Sequence, residues 1–347
     1  MTQNSTSFAK QLLRWFDKHG RHNLPWQHPR TPYRVWLAEI MLQQTQVTTV
    51  IPYYRRFLKR FPSLRALARA SPDDVLSLWS GLGYYARARN LHAAAREIVN
   101  EHGSRFPREF DAVAALPGIG RSTAGAILAQ AFGQRHPILD GNVRRLLARH
   151  AGISGWPGEP RVARKLWRIA EQHLSQTRLA DYTQALMDLG AIVCTARNPS
   201  CSACPVNGDC IALARKRVAQ LPTPKPRRLR PQRHAQLLLI ENDSGKILLE
   251  RRPPAGIWGG LWCLPAIEKD WRARCHDRYG LRFGTPRRLP LIRHSFSHYD
   301  LDLQPLRLRA QSETRIAEAT DLAWVTLPRA LKLGLPAPVR KLLQSLA

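Results

Sequence analysis

The pattern of hydrophobic and polar positions changes once along the chain. From residue 8 to about 215, apolar segments alternate with short polar or Pro/Gly breaks, as in successive amphipathic helices. Several predicted helix starts carry Ser, Asp or Pro, the residue types that favour helix N-termini. Helices are predicted to begin near Ser7, Tyr33, Pro72, Ala86, Glu109, Ser122, Asn142, Arg161 and Ala180. The first part of the chain is therefore predicted to be an all-α domain.

A basic, proline-rich segment follows the helical part, and the pattern beyond it is that of strands. In LPTPKPRRLRPQR (221–233), proline prevents regular hydrogen bonding and the arginines repel one another, so an extended linker is predicted. AQLLLIEN (235–242), a turn at DSGK and ILLERR (247–252) predict a β-hairpin. Further strands are predicted in LPLIRHSF, DLDLQPLRLRA and LAWVTL, and a helix at 270–280. Residues 1–220 and 234–347 are thus predicted to be an all-α domain and an α+β domain.

The length and charge of the chain indicate which classes of molecule it can bind. The 347 residues favour two domains, and a formal net charge of +29 attracts polyanions, although a merely solubilising surface would also be basic. No apolar stretch approaches the roughly 20 residues that span a bilayer, and the N-terminus lacks the apolar core of a signal peptide. We therefore expect a cytoplasmic protein that binds nucleic acid and no membrane.

Four of the six cysteines lie in one short segment. Cys194, Cys201, Cys204 and Cys210 have the spacing C-x6-C-x2-C-x5-C. Clustered thiolates repel one another unless a cation gathers them, so a metal centre is predicted. Zinc accepts four sulfurs but usually takes two separated C-x2-C pairs, whereas a compact, unequally spaced set suits a [4Fe–4S] cluster. Spacing favours iron–sulfur and leaves zinc open.

The segment LPGIG (116–120) joins two predicted helices. Gly118 and Gly120 let a DNA backbone approach closely, and amides at the start of the next helix bind anions without a side-chain charge. A simple tight helical hairpin would carry the same sequence. About twenty residues later, Asp140 precedes a predicted helix at 142–150, where it can serve as the N-cap, as an ionised carboxylate that stabilises a sugar cation, or as both.

Two further segments suggest contact with nucleic acid. Glu39, in WLAEIMLQQTQV (36–47), has apolar neighbours that favour its neutral form, as a general acid requires, although an amphipathic helix could also expose it. The uncharged run from Gln43 to Gln46 suits base edges. In GLGYYARAR (81–89), tyrosines beside arginines can stack on bases or belong to the core.

Together these motifs resemble the helix–hairpin–helix base-excision DNA glycosylases, over residues 1–220. Two branches compete, the endonuclease III type, with lyase activity, and the MutY-type adenine glycosylases, which act opposite 8-oxoguanine. In the first, a lysine follows the Gly-Arg of the hairpin and attacks the sugar; here Ser122 stands there and cannot form a Schiff base. The resemblance therefore favours the MutY type and a monofunctional enzyme that uses water. A lyase and a catalytically inactive DNA-binding protein remain the alternatives.

The resemblance also implies roles for individual residues. Glu39 would protonate the adenine, Asp140 would stabilise the sugar cation, Asn142 would orient this region, and the four cysteines would hold a [4Fe–4S] cluster. Contacts with DNA or the lesion are implied at Gln44, Thr45, Leu82, Tyr84, Gly118, Gly120, Ser122, Phe296, Ser297 and His298. Arg144 stands where relatives often have a lysine that traps the abasic product, so trapping is expected to be weak.

The α+β part resembles the Nudix-like domain that follows the catalytic domain of MutY-type enzymes. Where a Nudix hydrolase has paired glutamates for Mg²⁺, this chain has Asp277 and Arg278, so the fold is expected without the chemistry. Phe296-Ser297-His298 matches the loop with which MutY-type enzymes inspect 8-oxoguanine. The expected partner is double-stranded DNA with adenine opposite 8-oxoguanine or guanine, bound by a monomer associated with the nucleoid.

Overall fold

The computed structural model describes residues 3–226, 229–267, 271–296, 298–310 and 321–346, and it divides into two compact units. Unit 1 comprises Met1–Ala68 and Ala93–Arg227, and unit 2 comprises Arg69–His92 and Arg228–Ala347. Unit 2 therefore takes a segment from within the helical part of the sequence. The predicted domain boundaries at 220 and 234 remain predictions, because this division follows packing and not chain order.

The first 215 residues are helical, as predicted. The helices are α1 (Gln3–His19), α2 (Pro32–Leu42), α3 (Val47–Arg60), α4 (Leu64–Ala68), α5 (Pro72–Trp79), α6 (Ala86–Glu101), α7 (Phe110–Ala115), α8 (Arg121–Phe132), α9 (Gly141–His150), α10 (Pro160–Gln172), α11 (Leu179–Asp188) and α12 (Ile211–Ala214). The predicted starts lie within one residue of the observed ones, except that α1 begins at Gln3 instead of Ser7. Helices α3, α4 and α12 were not predicted.

Local sequence explains where several helices begin. The Thr31 and Ser71 hydroxyl oxygens accept hydrogen bonds from the backbone N–H groups of Arg34 (3.3 Å) and Asp74 (3.1 Å). A proline follows each of these caps, and its missing N–H costs nothing in the first turn of a helix. These caps fix the start of α2, which carries Glu39, and of α5, which belongs to unit 2.

The core of unit 1 packs α1, α9, α10 and α11 together. Leu12, Val143, Leu166, Tyr182 and Leu189 are among its buried residues. A single π-helical turn, Leu189–Val193, continues α11 and leads directly into the cysteine segment.

A buried ion pair between Arg21 and Asp188 lies at the end of α11. Asp188 is fully buried and accepts from the Arg21 backbone N–H (2.7 Å), from Arg21 Nε (2.9 Å) and Nη2 (2.6 Å), and from Gln184 Nε2 (2.7 Å). A buried carboxylate is tolerated when donors surround it in this way. The pair thereby anchors the chain that follows α1 to the end of α11.

Unit 2 is built around a mixed sheet, as the predicted α+β pattern requires. Its described strands are β1 (Gln232–Glu241), β2 (Ile247–Arg251), β3 (Trp262–Cys263), β4 (Ala266–Ile267), β5 (Arg287–Arg288), β6 (Ile292–Ser295), β7 (Asp300–Arg309) and β8 (Leu322–Val325). The main path runs β3-β2-β1-β7-β5, with β4 on β1, β6 on β7 and β8 on β2. The long strands β1 and β7 are parallel, from Gln232 opposite Asp300 to Glu241 opposite Arg309, and the other pairs are antiparallel.

Helices cover this sheet. The predicted helix is α13 (Trp271–Tyr279), whereas α14 (Leu327–Ala330) and α15 (Ala337–Gln344) were not predicted. Residues 69–92 also pack here, because Asp73 pairs with Arg251 (2.7 Å) and the Ser77 hydroxyl donates to the Lys332 carbonyl (2.7 Å). Among the described residues, no helix has the length and apolar character to cross a bilayer.

Candidate active site and cysteine segment

The predicted hairpin is formed by α7, a turn at residues 116–120, and α8. Gly118 has a φ of 79°, a conformation that other residues rarely adopt, and Gly120 precedes the first turn of α8. Both glycines are exposed. The turn therefore presents backbone amides to solvent at the positive end of a helix, an arrangement that binds anions such as phosphates.

Ser122 has a structural contact that the sequence did not reveal. Its hydroxyl oxygen accepts a hydrogen bond from the Leu139 backbone N–H at 2.9 Å. Leu139 immediately precedes Asp140, so the serine fixes the segment that delivers this carboxylate to the start of α9. A lysine at residue 122 would lose this contact.

Glu39 lies on the last turns of α2, against α8. Its Oε1 accepts from Gln130 Nε2 at 2.7 Å, and Gln130 itself is buried. The pKa of Glu39 is raised to about 7, chiefly by burial; the Gln130 hydrogen bond lowers it in part, and the negative charge of Asp140 adds to the rise. The Glu39 side chain is nevertheless partly accessible to solvent. It can therefore hold a proton near neutral pH and still reach a substrate.

Asp140 is the N-cap of α9, as predicted. Its Oδ1 accepts from the Val143 backbone N–H at 2.7 Å. Burial raises the pKa of Asp140, while hydrogen bonds from the Val143 and Asn142 amides and the charges of Arg145 and Arg144 lower it. The backbone amides and the helix N-terminus stabilise the ionised form. Burial outweighs these groups, so the pKa of Asp140 lies above its usual value, although amides and two arginines offset part of the rise. The site thus combines Glu39, which has a pKa of about 7, with a second carboxyl group that has charge-stabilising partners.

Asn142 belongs to a network that extends from α9 to the cysteine segment. The Arg145 guanidinium donates to Asn142 Oδ1 (2.8 Å), to the Gly190 carbonyl (2.6 Å) and to the Cys194 carbonyl (2.7 Å). A Cβ at Gly190 would lie 2.7 Å from Asn142 Cβ, so only glycine permits this approach. Arg145 was not predicted.

Arg149, one turn further along α9, joins three parts of the chain. It is 3% exposed and donates to a set of backbone carbonyls and to one sulfur. The acceptors are the carbonyls of Thr195 (2.6 Å), Ala196 (3.1 Å), Val218 (3.1 Å) and Leu221 (2.8 Å), and Cys194 Sγ (3.4 Å). This single guanidinium therefore binds the cysteine segment and the start of the predicted linker to α9.

The four clustered cysteines line one cavity and have free thiols. Within the described part of the chain, no group of three or more His, Cys, Asp or Glu is arranged to hold a single metal ion. Zinc would need all four sulfurs around one point. A [4Fe–4S] cluster takes one cysteine on each iron and so needs its sulfurs spread around a larger body. Four cysteines around one cavity match the four ligands that a [4Fe–4S] cluster takes.

The residues expected to touch DNA bases lie in two loops. Gln44 follows α2, is exposed and has a φ of 58°, with Thr45 half-buried beside it. In unit 2, Tyr84 is 49% exposed with a φ of 50°, whereas Leu82 is 6% exposed. Left-handed backbone in non-glycine residues is uncommon and is found disproportionately at functional sites.

Phe296 and His298 lie at the turn between β6 and β7, where the Phe296 N–H donates to the Tyr299 carbonyl at 2.9 Å. His298 is exposed, and the Phe296 ring packs beside those of His294 and Tyr299. Ser297 lies outside the described residues.

Arg278, which stands where a Nudix hydrolase has a glutamate, forms an ion pair within unit 2. Glu250 on β2 is buried, pairs with Arg278 and accepts from the Tyr279 hydroxyl at 2.8 Å. The Asp277 side chain is 79% exposed and lies 3.6 Å from His276 Nδ1. Arg278 supplies positive charge beside the buried carboxylate; the absence of magnesium chemistry remains a prediction.

Three segments match known families. Residues 37–172 match the HhH-GPD superfamily of base excision DNA repair proteins, residues 194–210 match the iron–sulfur binding domain of endonuclease III, and residues 236–345 match the NUDIX domain. These matches confirm the predicted order of folds and the predicted iron–sulfur cofactor.

Whole-chain relatives agree. The adenine DNA glycosylase of Buchnera aphidicola subsp. Acyrthosiphon pisum is 36% identical over 340 residues, 97% of this chain and 97% of that protein. The human adenine DNA glycosylase is 35% identical, over 92% of this chain and 70% of that protein. A thermostable thymine-DNA glycosylase has a similar structure, with a TM-score of 0.56, 27% identity, and coverage of 61% of this chain and 98% of that one. An endonuclease III–DNA complex, at 18% identity and a TM-score of 0.53, shares the fold.

Proposed function

Because this chain belongs to the family of adenine DNA glycosylases, we propose that it removes adenine paired with 8-oxoguanine or guanine and leaves the DNA strand intact. The observation that carries the chemistry is the pairing of Glu39, whose pKa is raised to about 7, with the N-capping Asp140. Two carboxyl groups in opposite protonation states are what hydrolysis of a glycosidic bond requires.

In this mechanism the adenine leaves the base stack and enters the site beside Glu39. Protonated Glu39 transfers its proton to the base as the bond from the sugar to the base nitrogen breaks. The bonding electrons leave with the base, which departs as neutral adenine, and the sugar becomes an oxocarbenium-like cation. The Asp140 carboxylate stabilises that cation. A water molecule then attacks the sugar carbon and gives its proton to Glu39, which restores the starting state.

Positioning residues complete the catalytic site. Gln130 holds the Glu39 carboxyl group, Ser122 holds the segment before Asp140, and Arg145 holds Asn142 against the Gly190 turn. Cys194, Cys201, Cys204 and Cys210 are the proposed ligands of the [4Fe–4S] cluster, which, when bound, crosslinks the loop that Arg145 and Arg149 contact. The exposed amides of Gly118 and Gly120 bind the DNA backbone. Tyr84 and Gln44 enter the base stack, and Leu82 and Thr45 support them.

The reaction type is tested with duplexes that carry adenine opposite 8-oxoguanine, adenine opposite guanine, or an oxidised pyrimidine. We expect cleavage of the two adenine duplexes to appear only after alkali or heat, because Ser122 has no amine. Efficient nicking without such treatment, together with a borohydride-trapped adduct in high yield, would show a lyase of the endonuclease III type. Cleavage confined to the oxidised pyrimidine would contradict the proposed substrate.

The base opposite adenine is read, in this proposal, by the turn at 296–298. 8-Oxoguanine differs from guanine by a carbonyl at C8 and a proton at N7, edges that a hydroxyl, an imidazole and backbone groups can match. We expect Ser297→Ala with His298→Ala to lower the preference for adenine opposite 8-oxoguanine over adenine opposite guanine by about 1–3 kcal/mol, with excision retained. Single-turnover rates and affinities on both duplexes measure this preference. An unchanged ratio would leave this turn without a role in substrate choice.

A further inference from the structure

We propose that Trp258 and Arg89 form a strut between the loop that carries Tyr84 and the turn that carries His298, and that both are positioning residues for the choice of the opposite base. Residues 81–84 are called the wedge loop, residues 296–298 the reading turn, and residues 258–260 the bridging turn. All three belong to unit 2. The inference rests on the proposed function, because it takes the reading turn as the part that contacts the opposite base.

At one end, the bridging turn packs against the base of the reading turn. The Trp258 ring lies 5.9 Å, centroid to centroid, from the Phe296 ring and 5.9 Å from the His294 ring, and the last two rings lie 4.6 Å apart. Ring pairs at such distances contribute specific geometry as well as apolar contact. The Trp258 ring therefore restricts displacement of the Phe296 ring.

Trp258 is held in an unfavourable backbone conformation. Its φ is 55°, which is rare for a bulky residue. Such a conformation persists where the surroundings determine it more strongly than local preference does. The turn is closed on itself, because the Gly260 N–H donates to the Arg252 carbonyl at 3.0 Å and the Leu261 N–H donates to the Trp258 carbonyl at 3.0 Å.

At its other end, the bridging turn is bound by Arg89. Arg89 Nη1 donates to the Gly259 carbonyl at 2.6 Å. A Cβ built at Gly260 would lie 3.5 Å from Arg89 Cδ and 3.5 Å from Leu76 Cδ1, so the turn also packs against α6 and α5. A charged, half-buried donor with a short bond to a carbonyl is a strong and directional attachment.

Arg89 stands in the first turn of α6, which immediately follows the wedge loop. The Gly83 carbonyl accepts from Trp79 Nε1 (3.1 Å) and from Arg87 Nη2 (3.2 Å), and the Arg87 guanidinium lies 5.3 Å from the centre of the Tyr84 ring. The wedge loop is thus fixed between the end of α5 and the start of α6. Movement of this helical turn carries the exposed Tyr84 ring with it.

A second set of contacts fixes the same segment to the C-terminal helices. The Ser80 and Tyr85 hydroxyls donate to the Leu335 carbonyl at 3.0 and 3.4 Å, and Arg340 Nε donates to Ser80 Oγ at 3.2 Å. These bonds explain why residues 69–92 pack with the strands of unit 2. In addition to these contacts, the bridging turn links the wedge loop to the reading turn through the side chains of Arg89 and Trp258.

In the reaction, the strut makes the position of Tyr84 depend on how well the opposite base fits the reading turn. When the reading turn accepts 8-oxoguanine, the strut places Tyr84 at the matching distance along the duplex, and adenine is displaced efficiently. When guanine leaves the reading turn poorly seated, the wedge is misplaced as well. Substrate preference then depends on residues that contact neither base. A purely structural role would instead lower stability and slow excision equally on both duplexes.

The test compares single-turnover excision from adenine opposite 8-oxoguanine and adenine opposite guanine for Arg89→Met and Trp258→Ala. We expect each variant to lower the ratio of the two rates by about three- to thirty-fold, the usual range for residues that couple two sites. Trp258→Phe, which keeps a ring, should restore most of the ratio. Arg282→Met and Trp271→Ala are matched controls, because Arg282 is exposed and Trp271 packs with Phe283 in the other core of unit 2. Thermal unfolding of every variant measures the loss of stability.

His298→Ala separates this inference from the proposed function. If His298→Ala lowers the ratio, and Arg89→Met lowers it in the parent protein but adds little in the His298→Ala background, the two residues act through one path and the strut is supported. If the two effects multiply, or if Arg89→Met slows both duplexes equally, the strut is wrong while the reading turn stands. If His298→Ala leaves the ratio unchanged, the proposed reading turn fails and the strut fails with it.

Discussion

Each unit of the protein contains a glutamate that is largely shielded from water, and the nearest partners of these two side chains differ in charge. In unit 1, the polar partner of Glu39 is the neutral amide of Gln130 at 2.7 Å, with the Asp140 carboxylate nearby. In unit 2, Glu250 is buried beside the Arg278 guanidinium and the Tyr279 hydroxyl. An amide compensates little of the cost of burying a negative charge, whereas a guanidinium compensates much of it.

The difference separates a carboxyl group that can do acid–base chemistry from one that holds a fold together. Glu39 keeps a proton available near neutral pH because, among the residues that the structure describes, its hydrogen-bond partner is the Gln130 amide and not a cation. Glu250 has one, and this partner is built into the chain where a Nudix hydrolase would bind magnesium. Burial alone does not set the pKa of a carboxyl group; the charge of its nearest partner decides how far burial is compensated.

The largest effect is expected from removing the chemistry of unit 1. Asp140→Asn keeps an N-cap but loses the charge that faces the sugar cation, and Glu39→Gln keeps the shape but carries no transferable proton. We expect each to slow single-turnover excision by a factor of at least 10² to 10³, the scale of a lost electrostatic contact in a transition state. Circular dichroism and DNA affinity should be preserved. Near-normal rates in a variant would reduce that residue to a structural role.

The next effect concerns pH and stability. The pKa of Glu39 is about 7 in the folded chain, compared with 4.5 for an unperturbed glutamate such as that of the unfolded chain. Glu39 therefore binds its proton more tightly in the folded state. Its contribution is fully present below pH 4.5 and is lost as pH rises to about 7, a loss of roughly 3 kcal/mol at 1.36 kcal/mol per unit. Glu39→Gln has no such loss. We expect its urea midpoint to exceed that of the parent protein by more at pH 8 than at pH 4.5. Parallel pH dependences in both proteins would contradict the raised pKa.

A smaller effect is expected in unit 2. Glu250→Gln keeps the Tyr279 hydrogen bond but removes the charge opposite Arg278, and it should lower the free energy of unfolding by about 1–3 kcal/mol. Excision should be unchanged, and Mg²⁺ should not alter unfolding. Glu241→Gln is the control, because its pair with Arg307 at 2.8 Å is less buried and should be worth less than about 1 kcal/mol. A loss of excision in Glu250→Gln would remove the distinction between the two glutamates.

The smallest effect sharpens the description of the Glu39 site. The Gln130 amide donates to the ionised form of Glu39 and so lowers its pKa. Gln130→Met should raise that pKa and shift the alkaline limb of the pH–rate profile upward, by less than about one unit. A shift in the opposite direction would mean that Gln130 supports the protonated form instead.

The sequence was sufficient for features that depend on local patterns. Helix starts followed from caps and prolines, and a metal centre followed from the cysteine spacing, which favoured iron–sulfur over zinc without excluding zinc. The apolar neighbours of Glu39 were visible in the sequence, and the structure shows the raised pKa that they imply. The catalytic and DNA-contact roles themselves remain predictions.

Features that depend on distant partners were missed. Gln130 is 91 residues from Glu39 along the chain, and nothing in its own segment marks it as a partner. Arg145 and Arg149 resemble ordinary charged positions on a helix, and only the packing of α9 shows that their acceptors are carbonyls 45 to 72 residues away. The assignment of residues 69–92 to unit 2 was equally invisible, because contiguity in sequence does not report which core a helix joins.

Arg149 has a consequence for the order in which the protein is made. Its guanidinium emerges from the ribosome before any of the groups that it binds, first the carbonyls of Thr195 and Ala196 and later those of Val218 and Leu221. During synthesis the arginine therefore cannot complete its contacts until residue 221 has been made, and by then all four cysteines of the segment are already present in the chain.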